Sequence, residues 1–209
     1  MTLRLNGSTS GYVEIDAPAT AGSNTLVLPT GNGSNGQYLQ TNGSGALSWA
    51  TVSTAGVLQV KSTTKTDATS FASVSSSFSS DVMTVSITPT SSSNKILIIA
   101  HIHLSGAATT RVAAKLTVGG SEIAAAKGDA AGSSTRATIT DTAGFSGNCI
   151  FPSSMTFLHS PGATSALTYG IQIGAEGNNN VYLNQPQSGG TTSDIFRPIS
   201  TITVMEVTP

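Results

Sequence analysis

Two of the three histidines in this sequence are spaced so that they can act together. His101 and His103 lie in the stretch IIAHIHL, which has the pattern of a β-strand, and residues two apart on a strand point to the same face. In a threefold oligomer with this strand beside the axis, six imidazoles could surround a transition metal in octahedral geometry. The alternative is that both histidines line a polar or subunit-facing side of the strand, opposite the apolar Ile98 and Ile102.

The remaining polar residues do not form a recognisable catalytic pattern. A nucleophile needs a base and an orienting group close to it, and the sequence has neither a G-x-S-x-G elbow nor a phosphate-binding loop. The ten acidic residues are dispersed, so the sequence leaves open whether two of them meet as a glycosidase pair. We therefore expect no enzymatic activity and no cofactor.

The composition favours a folded all-β protein over a disordered linker. Ser, Thr and Gly are abundant, yet 38% of residues are hydrophobic and the net charge is only -1, whereas disordered chains combine few apolar residues with high net charge. Thr and Val suit strands, while Gly, Ser and Asn suit the turns between strands. The sequence thus predicts many short strands joined by tight turns.

Charge and hydropathy exclude two classes of partner. The nine basic residues are scattered rather than clustered, which argues against a nucleic-acid surface. No window approaches the roughly 18 apolar residues of a membrane span, and the first residues do not resemble a signal peptide. We expect a protein made in a cytoplasm, without membrane insertion. Cys149 is the single cysteine, and we expect it to be a small buried apolar residue.

Two regions with different patterns divide the chain at about residue 54. Residues 1–54 hold short apolar patches separated by turn signals, including Asn-Gly-Ser at 6, 32 and 42, and these patches are too sparse to close a core in one chain. Residues 55–209 have regular strand patterns. About ten short strands without a helical period predict a β-sandwich or jelly roll for this second region.

Several strands of the second region are specific enough to assign faces. DVMTVSITP places Met83, Val85 and Ile87 on one face, and RVAAKLTVGGSEIAAAK predicts a hairpin that turns at Gly119-Gly120. SMTFLHSPGATSALTYGIQIG predicts another pair of strands, with Pro161-Gly162 in the connection. NNNVYLNQP and STITVMEV predict the last two strands. NKILIIAHIHLSG is apolar on both faces, which is typical of a strand buried between two sheets or against another subunit.

Several longer motifs resemble virion fibre proteins of tailed phages, especially cyanophages. In the first region the similar motifs are GYVE (11–14), APATAG (17–22), LP (28–29) and GALSW (45–49). In the second region they are KTD (65–67), SITPTSSSNKILI (86–98), SPGATSALTYGIQI (160–173), VYLNQ (181–185) and STITVMEV (200–207). The resemblance implies homotrimers with an extended N-terminal shaft or anchor (1–54) and a TNF-like jelly-roll head (55–209). Longer relatives have a full shaft, which this chain almost lacks.

Trimer formation would supply the apolar contacts that the first region lacks. We predict a trimer interface made by six residues of the two regions: Tyr38, Leu39, Leu47, Trp49, Ile98 and Ile102. The expected function is a short tail fibre that attaches to the host surface, with glycan as the expected receptor, through the head loops GDAAGSSTRA and NQPQSGGTTSDIF. The first region would dock on other virion proteins of the tail, baseplate or capsid. The alternative is a capsid decoration or head-fibre protein with a purely structural role, and a tail location is favoured.

Overall fold

The computed structural model describes residues 3–52, 56–142, 149–189, 193 and 195–209. The chain forms two compact units, Met1–Ser53 and Thr54–Pro209. Both units are built from strands, and the only helical element among the described residues is a short 3-10 turn at Ala124–Ala126. The all-β prediction is therefore confirmed. No helix in the described part of the chain is long and apolar enough to cross a membrane.

The first unit consists of two antiparallel hairpins. Strand β1 (Leu3–Asn6) pairs with β2 (Tyr12–Ile15), and β3 (Gln37–Thr41) pairs with β4 (Leu47–Thr51). The Asn-Gly-Ser tripeptides at 32 and 42 lie in connections, and the one at 6 begins at the last residue of β1 and continues into the turn to β2. At the third one, the Asn42 side chain accepts hydrogen bonds from the backbone N–H groups of Ser44 and Ala46, which closes the turn between β3 and β4.

Eleven strands make up the described part of the second unit. In chain order they are β5 (Val57–Lys65), β6 (Thr69–Ala72), β7 (Met83–Ile87), β8 (Lys95–Gly106), β9 (Arg111–Val118), β10 (Ser121–Glu122), β11 (Ile139–Thr142), β12 (Phe151–His159), β13 (Leu167–Ala175), β14 (Asn180–Leu183) and β15 (Ser200–Val207). The first sheet has the order β10-β9-β13-β7, with β11 also paired to β9. The second sheet has the order β5-β15-β8-β14-β6, with β12 also paired to β8.

The inner faces of the two sheets share one hydrophobic core, so their arrangement is sandwich-like. In β7, Met83, Val85 and Ile87 are buried while the residues between them are exposed, as the alternation predicted. In β13, Tyr169 and Ile171 are fully buried in the same core. The predicted turn at Gly119-Gly120 is also present, with positive φ at both glycines. Jelly-roll connectivity stays a prediction.

The predicted pairing around Pro161-Gly162 is wrong. Strand β12 pairs with β8 along its whole length in the second sheet, whereas β13 pairs with β7 and β9 in the first sheet. The segment with Pro161-Gly162 therefore crosses from one sheet to the other. Turn residues mark a change of direction, but they do not determine which strand comes next to which.

The positions of Ile98 and Ile102 in β8 do not fit the predicted trimer interface. Ile98 and Ile102 are fully buried between the two sheets of a single chain, so neither side chain can contact a second chain. The alternate residues of β8 face outward, and Ile99 among them is 38% exposed. The apolar residues on the two faces of β8 thus have different environments, with one set in the core and the other on the surface.

A buried carboxylate fixes β15 to the loop that follows β7. Glu206 is fully buried and accepts hydrogen bonds from Gln59 Nε2 (2.6 Å), Asn94 Nδ2 (2.6 Å), and the backbone N–H (2.6 Å) and hydroxyl (2.8 Å) of Thr90. Burial raises the pKa of Glu206, but the hydrogen bonds from Asn94, Gln59 and Thr90 outweigh burial and lower this pKa to about 2. The carboxylate is therefore charged, and its charge is stabilised by hydrogen-bond donors.

Candidate functional site

The first unit exposes an unusual amount of apolar surface. None of the described residues from Leu3 to Val52 is buried. The exposed large apolar side chains of this unit are Leu3, Leu5, Tyr12, Val13, Ile15, Leu26, Val27, Leu28, Tyr38, Leu39 and Val52. Where such exposed apolar side chains lie together, they mark an interaction site in soluble proteins.

The hairpin of β3 and β4 holds the four predicted interface residues of the first unit. The register pairs Leu39 with Trp49 and Thr41 with Leu47, so Leu39, Leu47 and Trp49 lie on one face of the hairpin. Tyr38 pairs with Ala50 on the opposite face. Tyr38 and Leu39 are each 45% exposed, and the other two are half-buried. The structure brings three of the four together and separates Tyr38 from them.

Trp49 is held in place by the loop before β3. Its indole Nε1 donates a hydrogen bond to the carbonyl of Gly31 at 2.6 Å. A Cβ atom on Gly33 would lie 2.6 Å from the Trp49 ring, so the glycine allows the backbone to approach the indole face. Gly33 also has a φ of 71°, which disfavours other residues. The hairpin face that carries Trp49 is thus locally ordered within one chain.

A second apolar surface lies on the outer face of the second sheet, formed by β5, β15, β8 and β12. Four residues of these strands lie side by side in one cross-strand row: Val60 pairs with Met205, Met205 with Leu97, and Leu97 with Leu158. Val60 is 51% exposed and Leu158 is 46% exposed.

Successive rows of the same outer face become more polar. The row next to the apolar row contains Ser62, Thr203, Ile99 and Thr156. The following row contains Thr64, Thr201, His101 and Ser154, and His103 lies opposite Pro152 one step further. The outer face therefore runs from apolar residues through hydroxyl groups to the two histidines.

The two histidines contact each other, as their spacing predicts. Their ring centroids are 5.1 Å apart and their planes are nearly perpendicular, at 84°. His101 Nδ1 lies 2.7 Å from Ser154 Oγ, and His103 Nδ1 donates to the carbonyl of Ile199 at 2.8 Å. His101 is exposed and His103 is half-buried. Burial lowers the pKa of His103, the hydrogen bond to Ile199 opposes this, and the neighbouring His101 lowers the pKa further.

No third potential metal ligand joins this pair among the described residues, where no group of three or more His, Cys, Asp or Glu side chains is found. His159, the remaining histidine, lies on β12 with its Nδ1 2.8 Å from the hydroxyl of Tyr169. The predicted six-imidazole site would need three chains and stays a prediction. Cys149 is half-buried rather than fully buried.

A cleft of about 600 Å³ lies beside the predicted loop GDAAGSSTRA. Its lining includes Arg111 and Glu176, which form an ion pair at 2.7 Å, together with Asp129, Arg136 and Phe78. Planar charged groups and an aromatic ring suit a polar ligand, but every one of these groups also has a structural explanation at the surface. Part of the loop GDAAGSSTRA, from Ser133 to Ala137, lines this cleft.

The other predicted loop, NQPQSGGTTSDIF, lies partly outside the described residues, which omit 190–192 and 194. Within the described part, Phe196 is 84% exposed and Asn184 is fully buried. The Asn184 side chain donates to the backbone carbonyl of Lys65 and accepts from Ser200 Oγ, so it ties the start of this loop to the second sheet.

Sequence patterns did not identify the apolar row or the cleft. Alternation within β8 and β15 signals which residues share a face, but the row depends on the pairing of β5 with β15 and of β12 with β8. These partners are far apart in the sequence, and no local signal specifies them.

No family model matches this chain, and no curated protein matches it. Among solved structures, the chain is similar to the structure of infectious bursal disease virus Gt strain, with 11% identity, 98% of this chain and 46% of that chain covered, and a TM-score of 0.37. The structure of the Gx strain gives 13% identity and a TM-score of 0.36, with 94% of this chain and 43% of that chain covered. The crystal structure of the VP2 subviral particle of infectious bursal disease virus gives 12% identity and a TM-score of 0.34, with 77% of this chain and 40% of that chain covered. The chain spans less than half the length of these proteins, and the TM-scores are too low to assign a shared fold or function.

Proposed function

We propose that this chain is a homotrimeric virion structural protein that works as a short tail fibre and attaches to the host surface through its second unit. One observation carries the proposal: the first unit forms ordered hairpins without burying any of its described residues. Burial of so much exposed apolar surface against another chain is favourable, and other copies of the same segment can supply the contacts.

The energetics of the first unit favour assembly over isolation. Full burial of one Val, Leu, Ile or Phe side chain contributes about 1.5 to 3 kcal/mol. Isolated two-stranded hairpins are only marginally stable in water. Three copies that share Val13, Ile15, Leu39 and Leu47 therefore gain stabilisation that a single copy lacks. The small residues between these side chains allow the close approach of three chains.

The outer face of the second sheet supports the same assembly. Its apolar row of Val60, Met205, Leu97 and Leu158 contains no charged side chain, and the neighbouring row contributes only hydroxyl groups and Ile99. The row on the other side of the apolar row contains Lys95, which pairs with Val207. Contact with another copy of the chain therefore suits the apolar row and the hydroxyl row, where no charge has to be removed from water. The loops and the cleft lined by Arg111 and Glu176 then remain free for a ligand.

Host attachment by a trimer gains from multivalency. Glycan binding by one cleft is expected to be weak, and three copies per fibre with several fibres per particle multiply weak contacts into firm attachment. The resemblance to tailed-phage fibre proteins is the reason for proposing a tail location. It also accounts for the division into an N-terminal assembly segment and a head.

Assembly is tested by analytical ultracentrifugation of the full chain. We expect a species of three chains, and Leu39→Asp should shift it to monomer because the charge lies in the shared apolar surface. Gln40→Asp is the matched control, since Gln40 is exposed on the opposite face of the same hairpin and should leave the trimer intact. A wild-type monomer, or a Leu39→Asp variant that stays trimeric, contradicts the proposed role of the first unit.

Location is tested by electron microscopy of virions labelled with an antibody against this chain. Label confined to the tail, at a few positions per particle, supports a tail fibre. Label spread over the head at tens of positions overturns the tail assignment and favours capsid decoration. Binding to host cells is tested separately with the purified trimer, where loss of binding after removal of surface glycan supports a glycan receptor.

A further inference from the structure

We propose that His101 and His103 form a surface site for a divalent transition metal, Ni²⁺, Cu²⁺ or Zn²⁺, which binds to the Nε2 atoms of both rings within one chain. Imidazole nitrogen is a preferred ligand for these three ions, whereas Ca²⁺ and Mg²⁺ prefer oxygen. The proposal does not depend on the trimer, because both ligands come from the same strand.

The separation of the rings fits two ligands on one ion. Two imidazoles bound at about 2.1 Å, at angles of about 90° to 109° at the metal, have ring centroids about 4.5 to 5.2 Å apart. The observed separation is 5.1 Å. The spacing of alternate residues on one strand thus already holds the rings at a distance suited to adjacent coordination positions.

Hydrogen bonds leave the metal-binding nitrogens free. The carbonyl of Ile199 can only accept, so His103 Nδ1 must carry the proton, and Nε2 of the neutral ring has its lone pair available. His101 Nδ1 lies 2.7 Å from Ser154 Oγ, and when this hydroxyl accepts the Nδ1 proton, the Nε2 lone pair of His101 is available as well. Within the described residues, neither Nε2 atom has a hydrogen-bond partner. Metal-binding histidines typically have their other nitrogen held by a carbonyl or hydroxyl in this manner.

The position of the pair allows a metal to enter from solvent. His101 is exposed and His103 is half-buried on the outer face of the second sheet. Two protein ligands leave other coordination positions for water, so we expect moderate affinity rather than the tight binding of a closed structural site. The neighbouring hydroxyl groups of Thr201 and Ser154 make the surroundings polar.

The test is isothermal titration of the full chain, in its native oligomeric state, with NiCl₂ and with ZnCl₂ near pH 7.5. We expect one metal ion per chain with a Kd in the micromolar range. His101→Gln and His103→Gln should each weaken binding at least tenfold, and the double variant should not bind. The matched control is His159→Gln, which removes the histidine that lies on β12 beside Tyr169 and should leave binding unchanged.

A second readout separates coordination from indirect effects. In ¹⁵N spectra of the imidazole nitrogens, Zn²⁺ should shift the Nε2 resonances of two histidines and leave the third in place. The proposal is overturned if wild-type protein binds no tighter than the double variant, or if His159→Gln loses as much affinity as His101→Gln. The folding of each variant is checked by circular dichroism. Loss of binding is attributed to the missing imidazole only in a variant that keeps the wild-type spectrum. Ultracentrifugation of the double variant shows whether assembly persists without the metal ligands.

Discussion

The buried carboxylate of Glu206 offers the sharpest test of how the second unit is held together. We expect Glu206→Gln to destabilise this unit strongly at pH 7. The substitution keeps the size of the side chain but replaces an acceptor oxygen by an NH₂ group, which would face the donors of Thr90, Asn94 and Gln59. At least one buried donor then loses its partner.

The expected magnitude follows from the pKa of Glu206. The pKa falls from 4.5 to about 2 on folding. This difference corresponds to about 3 kcal/mol of stability at pH 7, which the glutamine variant should lose. Because the folded pKa is the lower one, the contribution is complete above about pH 4.5 and disappears as the pH falls towards 2.

The assay is urea denaturation of both proteins at pH 7 and at pH 3, followed by circular dichroism. We expect the stability difference between wild type and Glu206→Gln to be about 3 kcal/mol at pH 7 and clearly smaller at pH 3. The control is Glu176→Gln, which removes a solvent-exposed ion pair with Arg111 and should change the stability much less than Glu206→Gln at both pH values.

Two results would refute this explanation. A Glu206→Gln variant as stable as wild type at pH 7 would mean that the hydrogen bonds do not favour the charged form. A difference that stays the same at pH 3 would mean that the loss comes from packing alone. Asn94→Ala provides an intermediate case, because it removes one charge-assisted hydrogen bond and should cost about 1.5 to 3 kcal/mol.

Three further predictions concern packing in the two units. Gly33→Ala should disturb Trp49, the single tryptophan, and red-shift its fluorescence, because the new Cβ would meet the indole ring and the positive φ disfavours alanine. Gly170→Ala should lower the Tm of the second unit, at a cost of about 2 kcal/mol, since its Cβ would collide with the Asp81 carboxylate. Ile98→Asp should prevent folding of the second unit, as seen by loss of its circular dichroism signal, because a charge would be buried in the core.

Each of these changes has a matched control. Gly36 also has a positive φ, but no atom lies near the position of an added Cβ. Gly36→Ala should therefore leave the tryptophan spectrum unchanged. Gly128→Ala has no close neighbour and should keep the Tm. Ile99→Asp places the charge on the outer face of the second sheet, where the protein should still fold. Equal effects in a variant and its control would show that the packing at that position was misjudged.

Local patterns predicted much of the second unit. The alternation in β7 identified its buried face, because a period of two is a property of the strand alone. The same rule placed His101 and His103 together. The hydrogen bonds of the pair to Ser154 and Ile199 were not predictable, because they come from segments about 50 and about 100 residues away along the chain.

Pairing between distant strands was the main obstacle. The sequence near Ile98 is apolar on both faces, and only the packing of the second sheet against the first shows which face lies in the core. The assignment of Ile98 to a trimer interface failed for this reason. Glu206 likewise appeared as one charged residue in a strand, since its partners Asn94 and Gln59 are more than 100 residues away.

The pairing of β5 with β15 affects the order in which the chain can fold. Strand β5 begins the second unit, but its partner is Ser200–Val207, so the second sheet cannot close until the ribosome has delivered these late residues. The two hairpins of the first unit join residues close in sequence and can form much earlier. Until β15 has been made, the strands that pair with it keep unpaired edges, which expose the growing chain to aggregation.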